Sequence, residues 1–412
     1  MLSDHVLQSK GKNLVAANGK LLREMNTETI LRVIRERQPI SRSQIAKLTG
    51  LTKATVTNIT AEMLDKDLIF ETSSSERMVG RNPVYLSLKL ATHFVGAIDI
   101  DLPSARIGVV DVDGTIRGKT SIKIDQQLPN ESIAACVEGL KKLCTSLNVD
   151  RLEGIGISVP GTVDPNIGLV KFTPGLRWRN FNMADAVRKL APEIRNVSVG
   201  NGANLLALAE VWFGTQEVDL SSIVFISIYK GVGSGIVIEN KLLEGNNQAA
   251  GEFGHMVIHD GGESCQCGKK GCLEAYASDS ATVKRYISKI SGSRTNEINY
   301  ELKDIIGLAE NGDAVAIEAL KQTGYYLGVG ISNIINAIDP NVIIIGGEIT
   351  RSWDLVYPEI MRVITEQAYF GMSASVKILP TSLSDPPRVL GAATLALERM
   401  FSDFGRTESA ND

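Results

Sequence analysis

Long apolar runs are missing from this 412-residue chain, and no stretch approaches the ~20 residues that a membrane-spanning helix needs. The first residues lack the apolar core of a secretory signal peptide. Cysteine is scarce and odd in number: five are present, and Cys136 and Cys144 stand apart from the other three. That count argues against a disulfide framework, so a reducing, cytoplasmic address is expected. No excess of one charge marks the chain as a whole, with 43 Lys and Arg against 47 Asp and Glu. What remains is 43% hydrophobic and 22% charged, ordinary for a soluble globular protein, and too long for one core, so two or three domains are expected.

The overall charge balance hides an uneven distribution. Residues 1–90 hold 14 basic against 9 acidic side chains, whereas residues 91–412 hold 29 against 38. A basic head on an acidic body suggests nucleic acid at the N-terminal end, although charge alone does not separate this from chance. The local sequence does. "TETILRVIRERQPI" spaces Ile30, Leu31, Ile34 and Ile40 at roughly helical intervals. In "SRSQIAKLTG", Ser41 followed by Gln44 is a capping box, Ile45 and Leu48 form the expected apolar face, and Gly50 is a C-cap. Thr52 then caps a third helix with Val56, Ile59, Met63 and Leu64 on its inner side.

Helix, short glycine turn, helix is the helix-turn-helix pattern. The outward face of the third helix carries Lys53, Thr55, Thr57 and Asn58, side chains suited to base edges and phosphates. Ser41 and Arg42, at the start of the second helix, join them as candidate DNA contacts. "IFETSSSERMVGRNPVYLSL" alternates like a hairpin, which makes the module a winged helix-turn-helix with Gly80-Arg81 at the wing tip and Arg81 placed to reach the minor groove. The alternative is a small three-helix module used for protein contacts.

From about Phe94 strands alternate with helices. "HFVGAIDI" and "ARIGVVDVDG" read as paired strands, "ESIAACVEGLKKLCTSL" as a helix with Ile133, Val137, Leu140 and Leu143 on one face, and "LEGIGISVPGTVD" as a buried strand entering a Pro-Gly loop. Similar units recur at "SSIVFISIYKGVGSGIVI" and "PNVIIIGGEI", giving two α/β lobes that switch near Asn201–Ala203. The expected domains are residues 1–90, a small lobe of 91–203 plus 388–412, and a large lobe of 204–387. "AIEALKQTGYYLGVGISNIINAI" reads as a buried core helix or a dimer element.

The head together with "GISVPGTVD", "NGANLLALAE", "GEFGH", "CQCGKKGCLE" and "IIIGGEI", in that order, resembles the ROK family of bacterial repressors and sugar kinases. The resemblance covers about residues 20–400 and implies an actin-like, ribonuclease-H-like fold behind the winged head. Its most specific piece is the cysteine string in register with Glu-x-Gly-His. Three thiolates and an imidazole make a closed tetrahedral site typical of structural zinc. The family pattern assigns His255, Cys265, Cys267 and Cys272 as the ligands. His259 is a rival fourth ligand, and a reactive thiol pair is a further alternative, though Cys-x-Cys is cramped for a disulfide.

The same resemblance places a sugar pocket beside the knob. It assigns Glu252, His255 and Glu274 to one side and Asn201 with the Gly161 loop to the other. Kinases of the family carry an aspartate base in the second position of Asn-Asp-Ala-Asn, which takes the proton of the attacking hydroxyl. Here that position is Gly202. The family's glycine-rich first phosphate loop is replaced by "DIDLPSAR", with Leu102, Pro103 and Ser104 where glycines should admit phosphate. The expected function is therefore a non-enzymatic transcriptional repressor that binds operator DNA as a homodimer or higher homo-oligomer and senses a carbohydrate. A sugar kinase with a fused DNA head, and a repressor controlled by a protein partner, are the alternatives.

Overall fold

The computed structural model describes residues 19–73, 84–290, 300–369, 371, 375–384 and 387–404. Two compact units emerge, one reaching His93 and taking in the chain from Glu398, the other spanning Phe94–Leu397. In the first, α1 (Gly19–Arg37) stops ahead of Pro39, which lacks the amide a helix would need. Ile40 therefore leaves the expected helix and pairs with Leu86 in the short strand β1 (Ile40–Ser41). Helix α2 (Arg42–Thr49) opens on the reciprocal Ser41–Gln44 capping box and ends at Gly50, whose φ of 70° only glycine adopts freely. The Thr52 hydroxyl accepts the Thr55 amide at 3.1 Å and starts α3 (Lys53–Asp65).

Strands β2 (Ile69–Ser73) and β3 (Val84–Leu88) complete a three-stranded antiparallel sheet in the order β1-β3-β2. Ile30, Leu31, Ile34, Ile45, Val56, Ile59, Met63 and Leu86 fill the core of this winged helix-turn-helix. Leu48 does not join them as expected. It lies about 60° round the helix from Ile45, over the turn, and is 60% exposed. The wing tip with Gly80 and Arg81 lies outside the described residues.

The second unit contains one sheet plan twice. Strands β4 (Phe94–Asp99), β5 (Ser104–Asp111) and β6 (Ile116–Lys123) form an antiparallel meander; α4 (Pro129–Ser146) precedes β7 (Gly154–Val159). A small sheet of β8 (Thr162–Asp164), β9 (Leu169–Phe172) and β10 (Arg179–Asn182), then α5 (Met183–Leu190), lead to β11 (Val197–Asn201). The sheet order is β11-β7-β4-β5-β6, with β4, β7 and β11 parallel. After α6 (Gly202–Phe213) the plan repeats with β12 (Ile223–Ile228), β13 (Val232–Ile238), β14 (Lys241–Leu242), β15 (Val342–Gly346) and β16 (Lys377–Pro380), in the order β14-β13-β12-β15-β16. Between β14 and β15 run α7 (Glu274–Ala277), α8 (Asp279–Ile290), α9 (Leu302–Glu310) and α10 (Ala314–Ile338). Helix α11 (Trp353–Gln367) precedes β16, and α12 (Pro387–Phe404) closes the described chain.

Every residue of β7, β12 and β15 is buried, as parallel strands covered on both faces require. On α4, Ile133, Val137 and Leu140 face the first core. Helix α10 proves to be a core helix, burying Leu320, Leu327, Ile331, Ile334 and Ile335. Among the described residues no helix is long and apolar enough to cross a membrane.

Helix α12 approaches β7 so closely that a Cβ on Gly156 would lie 1.8 Å from the Ala392 carbonyl oxygen. Gly156→Ala should therefore force strand and helix apart, lowering stability by ~1–3 kcal/mol, the usual range for overpacking, in a denaturant melt. A second prediction concerns Asp279 at the start of α8, whose carboxyl is pushed up to about 7, first by burial and then by Glu348, with Arg388 opposing. Its folded pKa lies above the unfolded one, so the native state binds the extra proton. The stability this gives is complete below about pH 4 and is lost as pH rises through about 7. Asp279→Asn should flatten that part of the pH–stability profile and raise the melting temperature at pH 8.

Candidate functional site

The cysteine loop is shaped by its own backbone. The Cys265 amide donates to the Lys269 carbonyl at 2.9 Å and the Gly268 amide to the Cys265 carbonyl at 3.0 Å, a tight turn that brings Cys267 over Cys272. Single antiparallel bridges close the loop on itself, Ser264 with Lys270, and tie it to the segment after His255, Val257 with Cys272. Gly271, at φ 79°, sits where a Cβ would be 1.8 Å from the His259 carbonyl oxygen, so no other residue fits. Tyr276 backs the loop, its hydroxyl accepting the Glu263 amide at 2.7 Å. That tyrosine carried no signal in the sequence.

The outcome is a cluster in which one ligand atom each of His255, Cys265, Cys267 and Cys272 lies within 4.8 Å of the others. Cys265 Sγ is 3.7 Å from His255 Nδ1, and Cys267 Sγ is 3.7 Å from Cys272 Sγ. A tetrahedral cation with sulfur at ~2.3 Å and nitrogen at ~2.1 Å implies ligand–ligand edges of roughly 3.4–3.8 Å, so these residues fit a metal ion. His259 lies outside the cluster, its Nδ1 3.2 Å from the Asp260 carbonyl. Burial pushes the Cys265 thiol up to about 12 and also raises Cys272, while the Lys269 amide pulls Cys267 down. As thiolates, the buried Cys265 and Cys272 would need a cation to share their charge, and the cluster could supply the ligands for one.

The candidate pocket residues fall into two groups. On the knob side, His255 Nε2 is 3.9 Å from Glu252 Oε2, so this imidazole faces the sulfurs with one nitrogen and a half-exposed carboxylate with the other. Glu274 accepts the Val232 amide at 3.0 Å and the Cys265 thiol at 3.4 Å, which fastens the knob to β13. On the other side, Asn201 ends β11. Its carbonyl caps α6 through the amides of Ala203 (2.9 Å) and Asn204 (3.2 Å), and its amide donates to the Gly161 carbonyl at 2.8 Å. Much of its hydrogen-bonding capacity is thus used within the fold. Sequence reasoning missed one polar pair, Lys171 Nζ donating to Gln248 Oε1.

At Gly202 a Cβ would meet only the Ser158 hydroxyl, at 3.1 Å. The position can hold a side chain, and this sequence supplies none.

In the head, Lys53, Thr57 and Asn58 are exposed on α3 and Thr55 is half-buried, its hydroxyl 2.9 Å from that of Thr52. Ser41 and Arg42 are engaged elsewhere. The Ser41 hydroxyl belongs to the capping box, and the Arg42 guanidinium donates to Thr60 at 2.9 Å and pairs with Glu71 at 2.7 Å, bracing α2 against α3 and β2.

Comparison with known proteins adds the lineage. The ROK family model matches residues 95–399, and the MarR family model matches residues 25–76. A xylose repressor from Bacillus spizizenii is 31% identical over 386 residues, covering 93% of this chain and 97% of the repressor. Among solved structures, a ROK family transcriptional regulator described as a homologue of the Escherichia coli Mlc protein superposes with a TM-score of 0.79 at 29% identity, over 93% of this chain and 97% of that one. A ROK family glucokinase from Streptomyces griseus, solved with glucose and AMPPNP, gives 0.60 at 26% identity over 73% of this chain and 98% of its own.

Proposed function

The chain belongs to the ROK family, and on that premise we propose that it is a sugar-responsive, DNA-binding repressor of transcription whose kinase-like body binds and does not phosphorylate. The observation that carries the reading is the presence in one chain of a winged head with an exposed polar face on α3 and a body whose base position, Gly202, bears no side chain. Losing a general base commonly costs ~10²–10⁴-fold in rate. The likeness to a glucokinase supports the second reading, a kinase fused to a DNA head. Leu102-Pro103-Ser104 and Gly202 weigh against it, because proton transfer and phosphate cradling lie in separate parts of the chain and each lacks its usual group.

In this reading Lys53, Thr55, Thr57 and Asn58 contact operator DNA, with Arg81 from the wing. Ser41 and Arg42 position α2 and α3 for them. Paired heads on two half-sites about 34–36 Å apart call for a homodimer at least. Glu252, His255 and Glu274 form one wall of the carbohydrate pocket, and Asn201 with the Gly161 loop the other. The ion held by His255, Cys265, Cys267 and Cys272 is structural zinc. It would fix His255 so that its far nitrogen is presented toward Glu252 and ligand hydroxyls. A cytoplasmic location follows from this work on the chromosome.

The central test is calorimetric titration with D-xylose, D-glucose, N-acetylglucosamine and their 6-phosphates, followed by ADP-release assays with any binder and MgATP. Binding without turnover is expected, and steady turnover near ~1 s⁻¹, an ordinary enzymatic rate, would restore the kinase reading. Elemental analysis should find about one zinc per chain, lost in Cys267→Ser together with sugar binding. A folded wild type free of zinc would remove the metal from the scheme. On operator DNA selected from a random pool, Asn58→Ala should cost ~1–3 kcal/mol and relax base preference, while Lys53→Ala should weaken all sequences alike and reduce the salt slope by about 1. Unchanged DNA binding in both variants would move the interface away from α3.

A further inference from the structure

The loop that stands where a glycine-rich phosphate loop is expected is filled by charge. Asp99 ends β4 almost completely buried and accepts the Ser158 hydroxyl at 2.8 Å and the Arg106 guanidinium at 3.0 Å. Arg106 also lies 3.6 Å from Asp101. Arg388, in the first turn of α12, donates to Asp101 at 2.9 Å, and its guanidinium carbon lies 4.1 Å from the centre of the Tyr229 ring.

Tyr229 and Lys230 belong to the second lobe, in the turn between β12 and β13. That turn is held to α8, the Asp279 amide donating to the Tyr229 carbonyl at 2.9 Å and the Ser280 hydroxyl to the Lys230 carbonyl at 3.3 Å. Lys230 in turn reaches the first lobe, its ammonium 3.1 Å from the Leu102 carbonyl. Two cations thus bridge the carboxyl ends of β4 and β12, one over an aromatic face and a carboxylate, the other onto a backbone oxygen.

We propose that Arg388, Asp101 and Tyr229, together with Lys230 and the Leu102 carbonyl, form an interlobe latch that sets the relative pose of the two sheets of the body. The bridge is polar and partly hydrated: Lys230 is exposed and the Asp101 side chain is 32% exposed, while Arg388, at 16%, is mostly shielded. Such pairs exchange for hydration at modest cost, whereas a buried apolar seam or a fully buried ion pair would not. The latch is therefore suited to open and close. The proposal goes beyond the sensor reading and stands without it, since it concerns the body alone.

Hydrogen–deuterium exchange on the full-length protein tests it. In Arg388→Ala, residues 99–104 and 228–232, on opposite lobes, should both exchange at least ~10-fold faster, and Arg388→Lys should fall between that variant and the wild type. Asp101→Asn should show the same two-lobe signature and carries the test if Arg388→Ala does not fold. Faster exchange confined to α12 would mean that Arg388 only stabilises its own helix, and the latch would be refuted.

Discussion

Parallel strands that are apolar on both faces cannot be left uncovered, and that constraint organises the body of this protein. Strands β7, β12 and β15 are buried along their whole length. Each sheet must therefore carry helices on both sides, which leaves the ends of the strands open to water. Asp99, Pro160-Gly161 and Asn201 stand at the carboxyl ends of β4, β7 and β11, and Tyr229 and Gly347 stand at the corresponding ends of β12 and β15. The glycine at the base position and the charge bridge are gathered there by one packing requirement.

The knob and the head solve a different problem, that of small pieces too short to bury a large core. The head does it with caps: Ser41, Gln44, Thr52 and Gly50 satisfy helix ends that a module of this size could not shield by burial. The knob does it with ligands, three thiols and an imidazole converging inside 4.8 Å. It is tied to its surroundings through His255 and Glu274, each of which faces the sulfurs on one side and another partner, Glu252 or β13, on the other.

On the proposed reading, binding and turnover would draw on different side chains: Glu252, His255 and Glu274 would keep their value without a base, whereas Gly202 has no side chain to take a proton. A Cβ at Gly202 would meet only the Ser158 hydroxyl, at 3.1 Å, so a small adjustment of that side chain would leave room for a residue there.

Local chemistry was legible from the chain itself. The capping box, the left-handed Gly50, the helical periodicity of Val56, Ile59 and Met63, and the cysteine spacing all act over a few residues, where sequence neighbours are also spatial neighbours. The continuous apolar run of β7 likewise announced a buried strand, with similar units at β12 and β15; their parallel pairing was visible only in the fold. Leu48 and Ile40 were misassigned because periodicity does not say where a core ends or that Pro39 stops a helix one turn early. Arg42 looked like a DNA contact and Glu274 like a free pocket carboxylate; only the fold showed their partners, Thr60 and Glu71 for one and the Val232 amide and Cys265 for the other. The pairing of Arg388 with Asp101, 287 positions apart in the chain, is the extreme case. No local pattern encodes such a contact, since it exists only once two sheets and the last helix have packed, and that was decided by tertiary structure alone.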